Sequence, residues 1–276
     1  MIWYSQIISR MRNMDPADAD KYILLRRNGM KNILITGGPT NEPIDEVMKI
    51  TNMSTGSLSV SLGQLFFEAG YKVCLVLNNS VSTDKLPIDN NISVIRIETT
   101  EDMSGAIETK SRQEHFDAVI HAAAVGDYKA DFSFLMEDMA AEIFRVKDTV
   151  ESEKEILDIM LDPVCKIDDS SKISSYQANL TVKLGLTQKI IAKLREWFPG
   201  ALLIGCKLLE NVGEEELFQV AKALCKKNRM DYILANDLAK LRVGITARYP
   251  VSNEGYTGHK LDTAKDIFDF VNAKLG

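Results

Sequence analysis

The run Lys31-Asn-Ile-Leu-Ile-Thr36 is apolar, too short for a helix, and empties directly into Gly37-Gly38-Pro39-Thr40. A run of that length bounded by turn residues reads as a buried strand. Beyond it, from Gly56 to Gly70, the positions Leu58, Leu62, Leu65, Phe66 and Ala69 fall on one face of a helix, and Gly70 stands where that helix should end. Lys72-Val-Cys-Leu-Val-Leu77 is a second short apolar run. Strand, loop, helix and strand in this order pack through a right-handed crossover into a parallel sheet. Few other arrangements bury both strands.

The same alternation continues. A strand at Ile92–Arg96, a helix at Glu101–Glu114 and a strand at Asp117–Ala123 follow, and the pattern resumes later with a helix near Thr187–Trp197, a strand at Ala201–Gly205, a helix at Glu214–Lys226 and a strand at Tyr232–Ala235. A hairpin near Ile245–Leu261 and a helix from about Thr263 close the chain. Between Lys129 and Lys183 there is no glycine, one proline and a series of acidic helical segments that ends in Asp168-Asp-Ser-Ser-Lys-Ile-Ser-Ser175, so this stretch reads as an excursion from the sheet. Residues 30–276 are expected to form an α/β domain in which helices cover both faces of the sheet. Residues 1–29 read as an N-terminal extension, either an accessory helix or a segment dispensable to the chemistry.

Charge and cysteine content narrow the function classes. Lys and Arg total 33 against 39 Asp and Glu, a formal net charge of −6, which offers no broad attraction to nucleic-acid phosphates. Four cysteines without a CxxC pair and three histidines suggest neither a disulfide framework nor a structural zinc site, and free buried thiols are expected. No run reaches the ~18 apolar residues of a membrane span, so a cytoplasmic location is expected.

Three loops carry candidate chemistry. In the first, Gly37 and Gly38 allow close backbone approach, while Ser54, Thr55 and Gly56 open the following helix, whose unpaired amides suit a phosphate. Asn52 can orient a carbonyl or phosphate, and Asp45 demands a partner in any closed pocket. An ordinary turn and helix cap is the competing explanation. The second loop, His121-Ala-Ala-Ala-Val-Gly-Asp127-Tyr128, follows a buried strand: small Ala122, Ala123 and Ala124 admit a ligand, and Asp127 suits a sugar hydroxyl or Mg²⁺ reached through water. A capped turn explains the same residues, and His121 reads as a packed, hydrogen-bonded histidine rather than a base. In the third, Lys172 could bring positive charge over a phosphate as its loop closes, or simply be solvated. Asn236-Asp237 follow the Tyr232–Ala235 strand as a base or ribose contact or as a helix cap.

At these residues the chain resembles phosphopantothenate–cysteine ligase, also called phosphopantothenoylcysteine synthetase, in its standalone bacterial form. ITGGPTNEPIDEV, ITNMSTG, HAAAVGDY, SSKISS, LIGCKLL and DYILANDL occur in order from Ile35 to Leu238. The resemblance implies a Rossmann-like three-layer fold with a mainly parallel central sheet, an inserted flexible flap and a C-terminal strand and dimerisation region. It also implies CTP-dependent joining of 4′-phosphopantothenate to L-cysteine through an acyl-cytidylate, with Mg²⁺, in a homodimer. On the matched positions, Gly37, Gly38, Ser54, Thr55, Gly56, Ala123, Ala124, Asp127, Lys207, Asn236 and Asp237 would contact nucleotide. Asn52 and Ala123 would contact the acyl substrate, and Asn52 and Lys172 would be catalytic. The metal ligands are not assigned.

The chain departs from the family pattern at Met48, where an arginine is usual, at Ser57, at Leu186 and Gln188 of a Lys-x-Pro turn, and at Cys206, a usual phenylalanine. Lys49 or Lys183 could replace the missing charge. Two other readings follow: a catalytically weakened nucleotide-binding regulatory paralogue, and a Rossmann-like NAD(P)-dependent oxidoreductase, which the absence of GxGxxG disfavours.

Overall fold

The computed structural model describes residues 29–276, so all of the N-terminal extension except Gly29 lies outside the described residues. β1 (Asn32–Gly37) is buried along its whole length, as a strand covered on both faces must be. It runs between β4 (Lys72–Asn78) and β6 (Ala118–His121), parallel to both, with Gly37 opposite Leu77 and Thr36 opposite His121. β5 (Ile92–Ile97) adds to the far side of β4; β9 (Leu202–Leu209) and β10 (Tyr232–Asp237) extend the sheet beyond β6. The seventh strand, β11 (Tyr249–Val251), joins β10 antiparallel. The sheet order β11-β10-β9-β6-β1-β4-β5 reverses direction of winding between β1 and β6.

Side chains leave each strand alternately to two cores. Ile33 and Ile35 join a core with α1 (Ser57–Glu68) and α8 (Ala264–Leu275), including Leu62, Phe66, Ile267 and Phe268. Leu34 points to the other face, where α2 (Thr100–Gln113), α5 (Ile190–Trp197) and α6 (Glu214–Lys227) contribute Met103, Ile107, Leu194, Leu217 and Ala221. Helix, sheet and helix give the three layers expected from the alternating pattern. α2 begins at a capping box in which Thr99 and Asp102 satisfy each other's backbone amides.

Four features differ from the sequence reading. The excursion holds α3 (Met136–Val146) and α4 (Glu153–Leu161), but its flanks pair as an antiparallel ribbon, β7 (Tyr128–Leu135) with β8 (Leu180–Leu186). Phe132, Phe134 and Met139 form its own small core. The alternation of Ala130, Phe132 and Phe134 is a strand signal; the acidic helices beside it obscured it. The segment after β1, expected as loop, makes a second ribbon, β2 (Asn41–Pro43) with β3 (Lys49–Thr51). The C-terminal hairpin is reduced to β11 and single bridges, Arg248 to Leu261 and Val251 to Tyr256. All four thiols are free, yet only Cys74 and Cys225 are fully buried; Cys165 and Cys206 are half-buried, so the expectation of buried thiols holds in full for two. α7 (Leu238–Arg242) is a single turn after β10. Among the described residues no helix is long and apolar enough to cross a membrane.

Candidate active site

The winding reversal leaves a crevice at the carboxyl ends of β1 and β6, where ligands of open α/β sheets bind. The loops leaving these strands are stitched together there. Ala124 donates its amide to Gly38 O at 2.9 Å, Thr40 donates to Ala124 O at 3.3 Å, and Gly126 donates to Thr40 Oγ1 at 2.9 Å. Beneath them Thr36 Oγ1 accepts the Ala123 amide at 3.2 Å and lies 2.8 Å from His121 Nδ1. His121 is buried, and desolvation pushes its pKa down to about 4, as fits a packed neutral imidazole.

Asn52 follows β3 and reaches across the crevice. Its Nδ2 donates to Ala124 O at 3.2 Å and to Val125 O at 3.1 Å, while its Oδ1 accepts no hydrogen bond among the described residues. Both donors are therefore spent on orientation and the exposed carbonyl oxygen is free to receive a ligand donor.

The glycines are needed by the protein itself. A Cβ on Gly37 would lie 2.3 Å from the Ser59 side chain, and one on Gly56 would lie 2.6 Å from Val81 and 3.0 Å from Gly38 N. Gly56 also has φ of 69°, a left-handed conformation that side chains resist. These contacts press the start of α1 against the end of β1, and Ser59 Oγ donates to Thr36 O at 2.8 Å. Gly56 gives α1 no side-chain cap: the Ser57 amide donates to Thr55 Oγ1 at 3.4 Å and the Ser59 and Val60 amides to Gly56 O, so among the described residues the Leu58 amide is left without a partner at the helix start, near half-buried Ser54 and exposed Thr55. Thr55 Oγ1 donates to Ser57 Oγ at 3.1 Å.

Asp45 sits in the turn between β2 and β3 and is buried. One carboxylate oxygen accepts the amides of Val47 and Met48 at 2.7 and 2.6 Å; the other accepts the amide of Ile173 at 2.8 Å. The amides of Met48, Ile173 and Val47, with a smaller contribution from the Lys172 charge, hold its carboxyl below the usual range. The contact joins the SSKISS segment to the first motif across 128 residues. Lys172, next to it, is exposed and makes no hydrogen bond or ion pair among the described residues.

The other expected residues divide. Asp127 is exposed and pairs with Lys189, whose importance no motif announced, and its backbone carbonyl accepts the Thr187 amide at 3.1 Å. Lys207, half-buried, and Asn236 stand near the carboxyl ends of β9 and β10, two and three strands from β1. Asp237 is turned to backbone: it accepts the amides of Asn211 at 3.0 Å, Val212 at 3.2 Å and Ala239 at 2.8 Å. Burial opposes its charge, but these amides outweigh burial and keep the carboxyl below its ordinary value. It thus joins the β9–α6 loop to the end of β10 and caps α7. Buried Glu42 accepts the Thr100 amide at 2.8 Å and its hydroxyl at 2.6 Å, fastening α2 to β2.

The two lysines that could replace the missing arginine are engaged. Lys49 pairs with Glu98 at 3.0 Å and Lys183 pairs with Asp131. Among the described residues no group of three or more His, Cys, Asp or Glu is arranged to hold a metal ion. A hollow of about 430 Å³ lies away from this crevice, around Lys31, Asp117 and Arg195 at the amino ends of the strands.

The family model for the DNA/pantothenate metabolism flavoprotein C-terminal domain matches residues 29–135, which include the first two loops. The chain is 31% identical over 210 residues, 75% of its length, to the coenzyme A biosynthesis bifunctional protein CoaBC of Thermococcus kodakarensis, and covers 41% of that relative. It therefore spans less than half of that protein. The DNA/pantothenate metabolism flavoprotein from Streptococcus pneumoniae superposes with a TM-score of 0.71 at 29% identity, covering 90% of this chain and 98% of the other. The C-terminal domain of a CoaBC protein shares the fold, with a TM-score of 0.59 at 20% identity over 89% of this chain and 93% of its own. Residues 29–135 thus match the model of this family's C-terminal domain, and the described chain shares the fold of the Streptococcus pneumoniae protein over nearly all of its length.

Proposed function

We propose that this domain joins 4′-phosphopantothenate to L-cysteine at the expense of CTP, as a step of coenzyme A biosynthesis. The observation that carries the reading is Asn52, whose amide nitrogen is held by two carbonyls of the second loop and whose oxygen accepts no hydrogen bond among the described residues. In the first half-reaction a substrate carboxylate oxygen attacks the nucleotide α-phosphorus and pyrophosphate leaves. In the second, the cysteine amino group attacks the acyl carbon, loses a proton and expels CMP. Both steps transfer charge between bound groups, so positioning and electrostatic complementarity suffice without a nucleophilic side chain.

Each residue has a task in this reading. The Leu58 amide at the start of α1, with Ser54 and Thr55, receives phosphate oxygens. Asn52 orients the acyl group against Ala123 and Ala124, and Lys172 places positive charge over the leaving phosphate from above. Lys207, Asn236 and the neighbourhood of Asp237 receive the base and ribose. Mg²⁺ held chiefly by triphosphate and water needs only one or two carboxylates; exposed Asp127 would supply one by exchanging Lys189 for the ion, which would neutralise triphosphate charge. A homodimer is part of the same proposal.

A second reading draws on one observation: Lys49 and Lys183, the two lysines that could stand in for the arginine absent at Met48, are both paired. It is that of a weakened, nucleotide-binding paralogue. Purified protein given CTP, phosphopantothenate and cysteine should release pyrophosphate and form CMP and the amide. Nucleotide binding with neither half-reaction would overturn the ligase and leave the paralogue; parallel reactions with ATP test base preference.

A further inference from the structure

Asp45 is occupied in a way that neither a loop turn nor a surface flap requires. A carboxylate that merely closes the β2–β3 turn would need only the Val47 and Met48 amides, both taken by one of its oxygens. The second oxygen reaches the amide of Ile173, whose side chain is 5% exposed within a segment whose neighbours Ser171, Lys172, Ser174, Ser175 and Tyr176 are all exposed. Along this polar stretch, one backbone amide and one apolar side chain are therefore tied down at the same residue. The tie falls immediately after Lys172.

Its place in the fold gives the tie a consequence. Asp45 lies at the tip of the β2–β3 ribbon, and the ribbon's second strand runs Lys49–Thr51 straight into Asn52. At roughly 3.3 Å per residue, the Met48–Asn52 stretch spans about 13 Å. The base of that ribbon is fixed in turn: Thr51 Oγ1 donates to Asn41 Oδ1 at 2.5 Å, and Asn41 Nδ2 donates to Glu98 at 2.7 Å. A two-stranded arm thus connects Asp45, which grips Ile173, to Asn52 at its other end.

We propose that Asp45 is a positioning residue, a latch that fixes the flap backbone at Ile173 so that Lys172 is carried at a set height above the arm ending in Asn52. The catalytic part of this proposal rests on the ligase reading, because only there does Lys172 act on phosphate; the latch itself does not depend on it. A charged acceptor suits the task, since a carboxylate accepts backbone amides on both oxygens, whereas an asparagine amide would turn an NH₂ donor toward one of them. Asp45→Asn therefore keeps the shape and loses part of the grip.

Amide hydrogen exchange on the intact wild-type chain tests the latch without any variant. The Ile173 amide should exchange at least about tenfold more slowly than those of Lys172 and Ser174, relative to their intrinsic rates. Exchange as fast as its neighbours would overturn the latch. In Asp45→Ala that protection should vanish, and trypsin should cut the Lys172–Ile173 bond about tenfold faster with cleavage elsewhere unchanged. If Asp45→Ala does not fold, the wild-type exchange still decides the matter, and Asp45→Asn should show an intermediate rise in cutting.

Kinetics then separate positioning from bulk structure. If the latch acts through Lys172, Asp45→Ala should lower kcat with little change in the KM for CTP, and the Asp45→Ala, Lys172→Ala double variant should be no slower than Lys172→Ala alone. Multiplying effects would overturn the positioning role. Should wild-type protein form no amide, the ligase assignment falls, while protection or free exchange at Ile173 continues to support or overturn the latch by itself.

Discussion

Lys172 and Asn52 have opposite surroundings, although the sequence marks both as catalytic candidates. Asn52 is oriented before any ligand arrives, with both N–H donors spent on Ala124 and Val125. Lys172 is oriented only through its backbone, at the Ile173 amide. An exposed lysine contributes little to packing, so Lys172→Ala should leave the thermal transition within a degree or two of wild type. Its expected cost in rate is about 10²–10⁴-fold, the scale of removing a group that stabilises developing charge. Rapid-quench measurement of pyrophosphate and amide should locate that loss; equal wild-type and variant rates in both steps would leave Lys172 a solvated residue. Departures matter at the same scale. With Met48 in place of arginine and Lys49 engaged by Glu98, positive charge near the first loop has to come from elsewhere, and Lys189, beside Asp127, is the cation the tertiary structure brings to the second loop.

Among the elements, α1 shows how a ligand-type motif can serve the fold first. Its entry through Gly56 requires a positive φ and leaves no room for a Cβ between Val81 and Gly38. Gly56→Ala should therefore destabilise the domain by about 1–3 kcal/mol, by backbone strain and steric conflict together. Adding Val81→Ala removes the conflict with the Val81 side chain and leaves the strain and the approach to Gly38 N, so the double variant should be less impaired than the two single losses predict when measured by urea unfolding. Simple additivity would show that the close approach is not the cause. The β2–β3 ribbon gives a second example: three-residue strands have little propensity of their own, and hydrogen bonds to Asn41 from Thr51 and from Asn41 to Glu98 at the end of β5 supply what local sequence lacks. That is why a reading based on periodicity treated the segment as loop.

At the scale of the molecule, the two cores meet on opposite faces of β1, and His121 links stability to pH at the carboxyl end of the neighbouring strand. Its folded-state pKa of about 4 lies below the unfolded value of about 6.5, so the unfolded chain takes up the proton first. The stability that goes with neutral His121 is present in full above pH 6.5 and declines as pH falls toward 4, by about 3 kcal/mol at the limit. Urea unfolding at pH 7 and pH 4.5 should show a smaller acid loss in His121→Asn than in wild type. Equal losses would mean that other groups account for the whole effect. The sequence by itself determined the three layers, since apolar runs of strand length alternating with helical stripes admit one efficient burial, and each strand from β1 to β10 in the main sheet lies where such a run occurs. It also marked Asn52, the small residues of the second loop and a packed His121, because those residues sit beside strand ends in local sequence. Only the tertiary structure decided that Phe132 and Phe134 belong to a ribbon, that Asp237 is spent on the amides of Asn211, Val212 and Ala239, and that Asp45 holds Ile173. Each of those depends on partners distant in the chain, and a hydrogen bond across 128 residues leaves no periodic trace in either segment.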